Sequence, residues 1–289
     1  MEITLRRATP DDHAAVARIV FDAFGHIARE HNFPPDFPVI QAAEGMAQMA
    51  LNHPKWFGVV AESEGRVIGS NFLDQRDAIA AVGPITVDPA VHCKGIGRRL
   101  MQAVIDRARE SKHPGTRLVQ EPFNTISLPL YTSLGFDTKE PLALMTGKIR
   151  GTARPGGTVR PVTAADVPAC ADLCKRVHGF DRANDLSDGI AHFRPHLLER
   201  GGRVVAYASA PAFWIMNHGV AETDADLFDL LAGASAAFPE PLALLIPTRR
   251  GDLFRWCLAS GLRMVKPMTL MAMGEYRDPR GAFFPSVQY

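Results

Sequence analysis

An α/β fold in two similar units, each with a central sheet and flanking helices, is predicted by three features of the sequence. The chain repeats itself: "LRRATPDDHAAVARIVFDAFG" (5–25) aligns without a gap on "VRPVTAADVPACADLCKRVHG" (159–179), "EGRVIGS" (64–70) on "GGRVVAY" (201–207), and "LYTSLGF" (130–136) on "WCLASGL" (256–262). Short apolar runs suited to strands alternate with stretches of helical periodicity. Between the copies, "RGTARPGGT" (150–158) is rich in Gly, Pro and small polar residues and reads as a linker. The predicted division is a first domain over 1–150, a linker over 151–158 and a second domain over 159–289. At 46% hydrophobic and 22% charged residues, each half can bury a core.

In chain order, a strand near 3–7 leads to a helix near 11–24, with Thr9 as the N-cap that satisfies free backbone N–H groups; Thr163 is its counterpart. "GHIAREHNFPPDFP" (25–38) is expected to be irregular, because its three prolines forbid a long helix. A helix near 40–51, strands at 57–62 and 66–74, and an apolar strand over 80–89 ending at Pro89 follow. A helix over 97–111 puts Leu100, Val104, Ile105 and Ala108 on one face. A strand at 116–120, a helix near 126–134 and a strand near 142–148 complete the unit. The offset between copies falls from 154 to 137 to 126, so the second copy has lost material twice. The second loss removes the counterpart of "VHCKGIGRRL" (91–100).

That segment carries the chemistry. A strand ending in a Gly-rich turn that opens into a helix aims several backbone N–H groups at one point, and the helix N-terminus adds positive potential. Lys94, Arg98 and Arg99 supply charge nearby. It is neither a P-loop nor a dinucleotide fingerprint, since no Gly-Lys-Ser/Thr and no third glycine follow. "ITVDPAVHCKGIGRRLMQAV" resembles the acetyl-CoA-binding motif of the GNAT superfamily of N-acetyltransferases, Q/R-x-x-G-x-G/A, here His92-Cys93-Lys94-Gly95-Ile96-Gly97. "FNTISLPLYTSLGF" (123–136) is similar to the family's second signature, with Asn124, Tyr131, Gly135 and Phe136 in register and Ser127 at the small-residue position. The likeness covers residues 3–150 well and 159–273 faintly. It implies two GNAT-like units, each with a mixed, mostly antiparallel sheet flanked by helices, the second degenerate.

The resemblance also implies roles. Acetyl-CoA is the co-substrate: its pyrophosphate lies on the N–H groups from Cys93 through Arg98, and its pantetheine arm pairs with Ile85, Thr86 and Val87. The Val87 N–H is the candidate oxyanion donor. Tyr131 is the candidate proton donor to the leaving thiolate, or else a core tyrosine. Asn124 holds the cofactor arm or only caps a helix. His92 is the departure from the pattern, and it leaves more of the phosphate binding to the backbone. For the base that deprotonates the amine, Glu62 ranks first, with Asp74, His26 and His31 as further candidates. "EHNFPPDFP" (30–38) lies where the family builds its acceptor site. The expected acceptor is a small-molecule amine; a protein or peptide amine, or a non-catalytic acyl-CoA sensor or scaffold, are the alternatives.

The remaining expectations are exclusions. Net charge is +1, and residues 1–150 hold 17 Lys/Arg against 17 Asp/Glu, leaving 15 against 14, so neither half has the basic excess of a nucleic-acid binder. No apolar run approaches the roughly 18 residues that span a bilayer, and no signal region opens the chain, so a cytoplasmic protein is expected. Cys93, Cys170, Cys174 and Cys257 form no CxxC pair; no metal is expected, and Cys170 and Cys174 read as small buried hydrophobes. The apolar tail "GAFFPSVQY" (281–289) docks on its own chain or on the second copy of a homodimer.

Overall fold

The two Thr-x-x-Asp segments fold alike in the computed structural model, which describes residues 2–91 and 95–288. The Asp12 carboxylate accepts from the Thr9 backbone N–H at 2.8 Å, and Asp166 accepts from Thr163 at 2.9 Å, each closing a capping box. Arg6 grips Asp12 with both terminal nitrogens at 2.8 Å and donates through Nε to Glu62 at 2.6 Å. Arg160 grips Asp166 at 2.7 and 2.8 Å and donates to Glu199 at 3.0 Å. The guanidinium bonds hold both aspartates below the usual carboxylate range. The repeat is thus a repeat of interactions as well as of residues.

By contacts the chain forms two compact units, Met1–Arg117 with Phe123–Phe136, and Leu118–Pro122 with Asp137–Tyr289. The first contains β1 (Thr4–Arg7), α1 (His13–Glu30), α2 (Ile40–Asn52), β2 (Trp56–Ser63), β3 (Arg66–Asp74), β4 (Ala80–Val82), β5 (Thr86–Val87), α3 (Ile96–Glu110), the start of β6 (Gly115–Gln120) and α4 (Ser127–Ser133). Its sheet runs β1-β2-β3-β4-β6, antiparallel except for the β4–β6 pair, with β5 also on β3. Val16, Val20, Ala43, Ala47, Trp56, Val60 and Phe72 pack α1 and α2 onto one face of the sheet. On α3, Leu100, Val104, Ile105 and Ala108 are buried as one face, joined by Ile96 and Met101.

Two predicted elements change. α1 continues to Glu30 instead of stopping near 24, because the first proline comes only at Pro34 and Gly25 inside the helix costs only about 1 kcal/mol. The single strand over 80–89 is broken into β4 and β5 around Gly83-Pro84. Pro84 has no N–H for a ladder, and Gly83 sits at φ +130°, outside strand geometry.

The second unit contains β7 (Asp137–Gly147), β8 (Thr158–Pro161), α5 (Val167–His178), α6 (Ala183–Phe193), β9 (His196–Arg200), β10 (Arg203–Ala208), β11 (Gly219–Ala221), α7 (Asp224–Ala237), β12 (Leu242–Pro247), α8 (Gly251–Ala259), β13 (Arg263–Gly274) and β14 (Ala282–Phe284). One sheet runs β14-β11-β10-β9-β8, all antiparallel. β7 lies between β12 and β13 and is antiparallel to both. Its run Leu142–Met145 is buried without alternation, which calls for partners on both edges and cover on both faces. Ala143 and Met145 join Leu230, Leu244, Leu253 and Phe284 in one core. Among the described residues no helix is long and apolar enough to cross a membrane.

Candidate functional site

α3 begins at Gly95, which takes φ +93°, a left-handed conformation that favours glycine. A Cβ there would meet no described atom within 4 Å, so the backbone conformation, not crowding, selects the residue. Gly97 is selected differently: a Cβ would stand 3.4 Å from Leu130 of α4, in tight contact between the two helices. Ile96 is buried beneath the turn, while Arg98 donates to Ser133 Oγ at 2.6 Å. Arg99 donates to the carbonyl of Ile3 at 2.9 Å. The first-turn N–H groups of a helix have no intrahelical acceptor, and α3 carries no acidic residue there to fill them. His92, Cys93 and Lys94, the start of the six-residue motif, lie outside the described residues.

β5 stands beside this turn. Thr86 pairs with Ser70 and Val87 with Gly69, and the Ser70 and Thr86 hydroxyls lie 3.1 Å apart. Gly69 permits the approach: a Cβ there would fall 2.9 Å from the Thr86 carbonyl oxygen. The parallel pairing of β4 with β6 ends at Ala81–Arg117, and β5 has β3 as its sole ladder neighbour among the described residues. The Asp88 N–H donates to Ile68 at 2.9 Å, so by the alternation of a strand the Val87 N–H faces the other edge, unladdered among the described residues. An extended ligand with amide groups finds there an open strand edge that leads to a helix N-terminus.

The second signature lies in the same unit. Asn124 Oδ1 accepts from the N–H groups of Ile126 and Ser127 at 3.1 and 3.0 Å, so the residue caps the turn into α4 through its oxygen. Tyr131 is buried in α4, its ring edge-on to Phe136 at 6.4 Å. Next to Asn124, Phe123 stacks on Phe33 at 4.6 Å and packs against His31 at 4.9 Å. This brings the "EHNFPPDFP" segment against the signature loop.

The candidate bases separate clearly. Glu62 is engaged by Arg6, one residue beyond the row Leu5–Ala61–Gly69–Val87, and Glu199 holds the same place in the half that lacks the glycine loop. The carboxylate is thus kept where the loop is missing, and through Arg6 it ties the first strand to the helix start. Asp74 is buried against Arg76 at 2.6 Å, and His26 pairs with Glu30 at 3.2 Å. His31 differs. Its Nδ1 lies 3.0 Å from the Ile27 carbonyl, which can only accept, so Nδ1 is the donor.

In the second unit, the helix that follows the last strand of the repeat core is closed. Thr223 Oγ1 accepts from the Asp226 N–H at 3.1 Å, and Asp224 and Asp226 occupy the first turn of α7. Asp224 is bonded by Arg250 and Asp226 by Arg200. The positive end, which in α3 has no acidic residue in its first turn, is filled here by the helix's own acids.

The sequence reading overlooked Gly69, Phe123 and Ser133. Gly69 had a signal, a lone glycine inside an apolar strand, which marks close backbone approach. Phe123 and Ser133 acquire meaning only from partners far along the chain.

A helix N-terminus beside a one-sided strand, within a mixed α/β sheet, is the setting in which the glycine turn lies. Residues 21–136 match the model of the acetyltransferase (GNAT) family, and this segment of the chain belongs to it. A putative acetyltransferase from Pyrococcus horikoshii is 18% identical over 94% of this chain and 89% of its own, with a TM-score of 0.73. A GCN5-related N-acetyltransferase from Sphaerobacter thermophilus is 15% identical over 96% of both chains, with a TM-score of 0.61. A tandem GNAT protein from the clavulanic acid biosynthesis pathway is 13% identical over 94% of this chain and 98% of its own, with a TM-score of 0.59. These likenesses show the fold, that of the tandem GNAT proteins. No curated protein matches the sequence.

Proposed function

We propose that the protein transfers acetyl from acetyl-CoA to a primary amine of a small molecule, with the chemistry confined to the first of two GNAT-like domains, 1–150 and 159–289, joined by 151–158. The observation that carries the reading is the open N-terminus of α3, with Gly95 left-handed, beside the unladdered edge of β5. Acetyl-CoA supplies an activated acyl thioester. The N–H groups of Ile96, Gly97 and Arg98 hold the pyrophosphate, and Ile85 and Val87 pair with the pantetheine amides. The Val87 N–H faces the thioester oxygen and stabilises the negative charge that grows there. Tyr131 gives its proton to the departing thiolate, whose thiol pKa of about 8.5 makes protonation near neutral pH favourable. In this reading the amine proton passes to Nε2 of His31, whose Nδ1 donates to the Ile27 carbonyl, instead of to Glu62, which is held by Arg6. The wall of Phe33 and Phe123 favours an amine with an apolar body.

The test is free-thiol release from acetyl-CoA over a panel of small amines and short peptides. Tyr131→Phe should lower kcat by about 10²- to 10³-fold at unchanged acetyl-CoA affinity. His31→Gln should lower kcat at unchanged acetyl-CoA affinity. If Glu62→Gln does so instead, Glu62 is the base. Tight acetyl-CoA binding with no thiol release on any amine would make the protein an acyl-CoA sensor, and release on peptides alone would move the acceptor to a protein amine.

A further inference from the structure

The second unit keeps the fold without the open helix end, and it carries a set of side chains that the transfer reaction does not use. Cys174 and His178 lie one turn apart on α5, and His218 immediately precedes β11. All three are buried, at 0%, 2% and 1% exposure. One donor atom from each, the Cys174 sulfur and a nitrogen of each imidazole, falls within 4.8 Å of the other two. The two Nε2 atoms of His178 and His218 face each other at 3.1 Å. We propose that Cys174, His178 and His218 form a structural site for a zinc-class divalent cation that cross-links α5 to β11.

Three observations support a centre rather than chance proximity. The i, i+4 spacing puts Cys174 and His178 on one helix face, so two donors arrive preset on one rigid element. A tetrahedral zinc ion with Zn–N about 2.0–2.1 Å and Zn–S about 2.3 Å sets its donors about 3.3–3.6 Å apart, so the imidazoles open by a few tenths of an ångström and the sulfur, within 4.8 Å of both, closes by at most about 1.3 Å. The outer groups are also in place. The Tyr207 hydroxyl lies 3.4 Å from Nδ1 of His218, which leaves Nε2 to the metal, and it is hydrogen-bonded to Cys174 as well. One thiolate and two imidazoles suit zinc ahead of magnesium or calcium, which take oxygen donors. Binding replaces the bond between the two imidazoles with two nitrogen–metal bonds: the Nε2 proton of that bond relocates to Nδ1 of its own ring, and the Cys174 thiol loses its proton to solvent as the sulfur–metal bond forms. The fourth position is filled by water or by the Tyr207 oxygen.

The experiment uses the full-length chain. Its metal content is measured by plasma mass spectrometry as isolated, and again after unfolding and refolding with equimolar Zn²⁺ or Co²⁺. The expected result is one metal per chain. The cobalt form should show tetrahedral d–d bands and an intense thiolate-to-cobalt band that Cys174→Ser removes and Cys257→Ser, buried elsewhere, retains. Tyr207→Phe, which keeps the core filled, should weaken zinc by about 10- to 100-fold against a chromophoric chelator. A chain that holds no stoichiometric metal either as isolated or refolded, or a thiolate band that survives Cys174→Ser, overturns the site and leaves a neutral His–His hydrogen bond. Neither result bears on acetyl-CoA binding by the first unit.

Discussion

At the scale of single residues, the phosphate turn depends on conformation more than on charge. Gly95 has room for a side chain but sits at φ +93°, so Gly95→Ala adds strain without a clash among described atoms. The expected result is a folded protein destabilised by about 1–2 kcal/mol, with acetyl-CoA affinity reduced because the first-turn N–H groups are re-aimed; thermal denaturation and calorimetry measure the two effects. Wild-type affinity in Gly95→Ala would show that the left-handed turn is not what aims the donors. Glu62 teaches the opposite lesson. From the sequence it is an isolated carboxylate at a strand end, and the Arg6–Asp12–Glu62 cluster becomes recognisable as architecture once Arg160–Asp166–Glu199 is seen to duplicate it.

Secondary elements carry the next prediction. Asp12 and Asp166 each close a capping box and accept a two-nitrogen guanidinium grip, which lowers their folded-state pKa below the unfolded value of about 3.9. Their stabilisation is therefore complete above that value and is lost as pH falls through it toward the folded value. Asp166→Asn should cost about 1 kcal/mol at neutral pH and flatten part of the acid limb of stability against pH, as read by denaturant titration from pH 7 to about pH 2. An unchanged acid limb would show that the pair is not what the fold loses on acidification. Helix starts, the buried face of α3 and the strand pair β2–β3 were legible because caps and periodicity are local signals. The run of α1 through Gly25 and the break between β4 and β5 were not: the first depended on how far proline's influence reaches, the second on how Gly83-Pro84 interrupts a ladder whose partner is distant in sequence.

For the whole molecule, the sequence revealed the repeat and the missing loop, but not that β7, at the end of the first copy, pairs with β12 and β13 of the second. An apolar run demands partners without naming them. Nor could composition separate the Cys174, His178 and His218 cluster from ordinary core residues, since its members converge from a helix and a strand start 40 residues apart. The asymmetry between the halves is physical: α3 opens on glycine with no acidic residue in its first turn, whereas α7 opens on Thr223, Asp224 and Asp226. The most direct test is titration calorimetry of the full-length protein with acetyl-CoA. The account predicts one site per chain, abolished by Gly95→Glu and unaffected by Thr223→Val. Two sites per chain, or binding that survives Gly95→Glu, would contradict it.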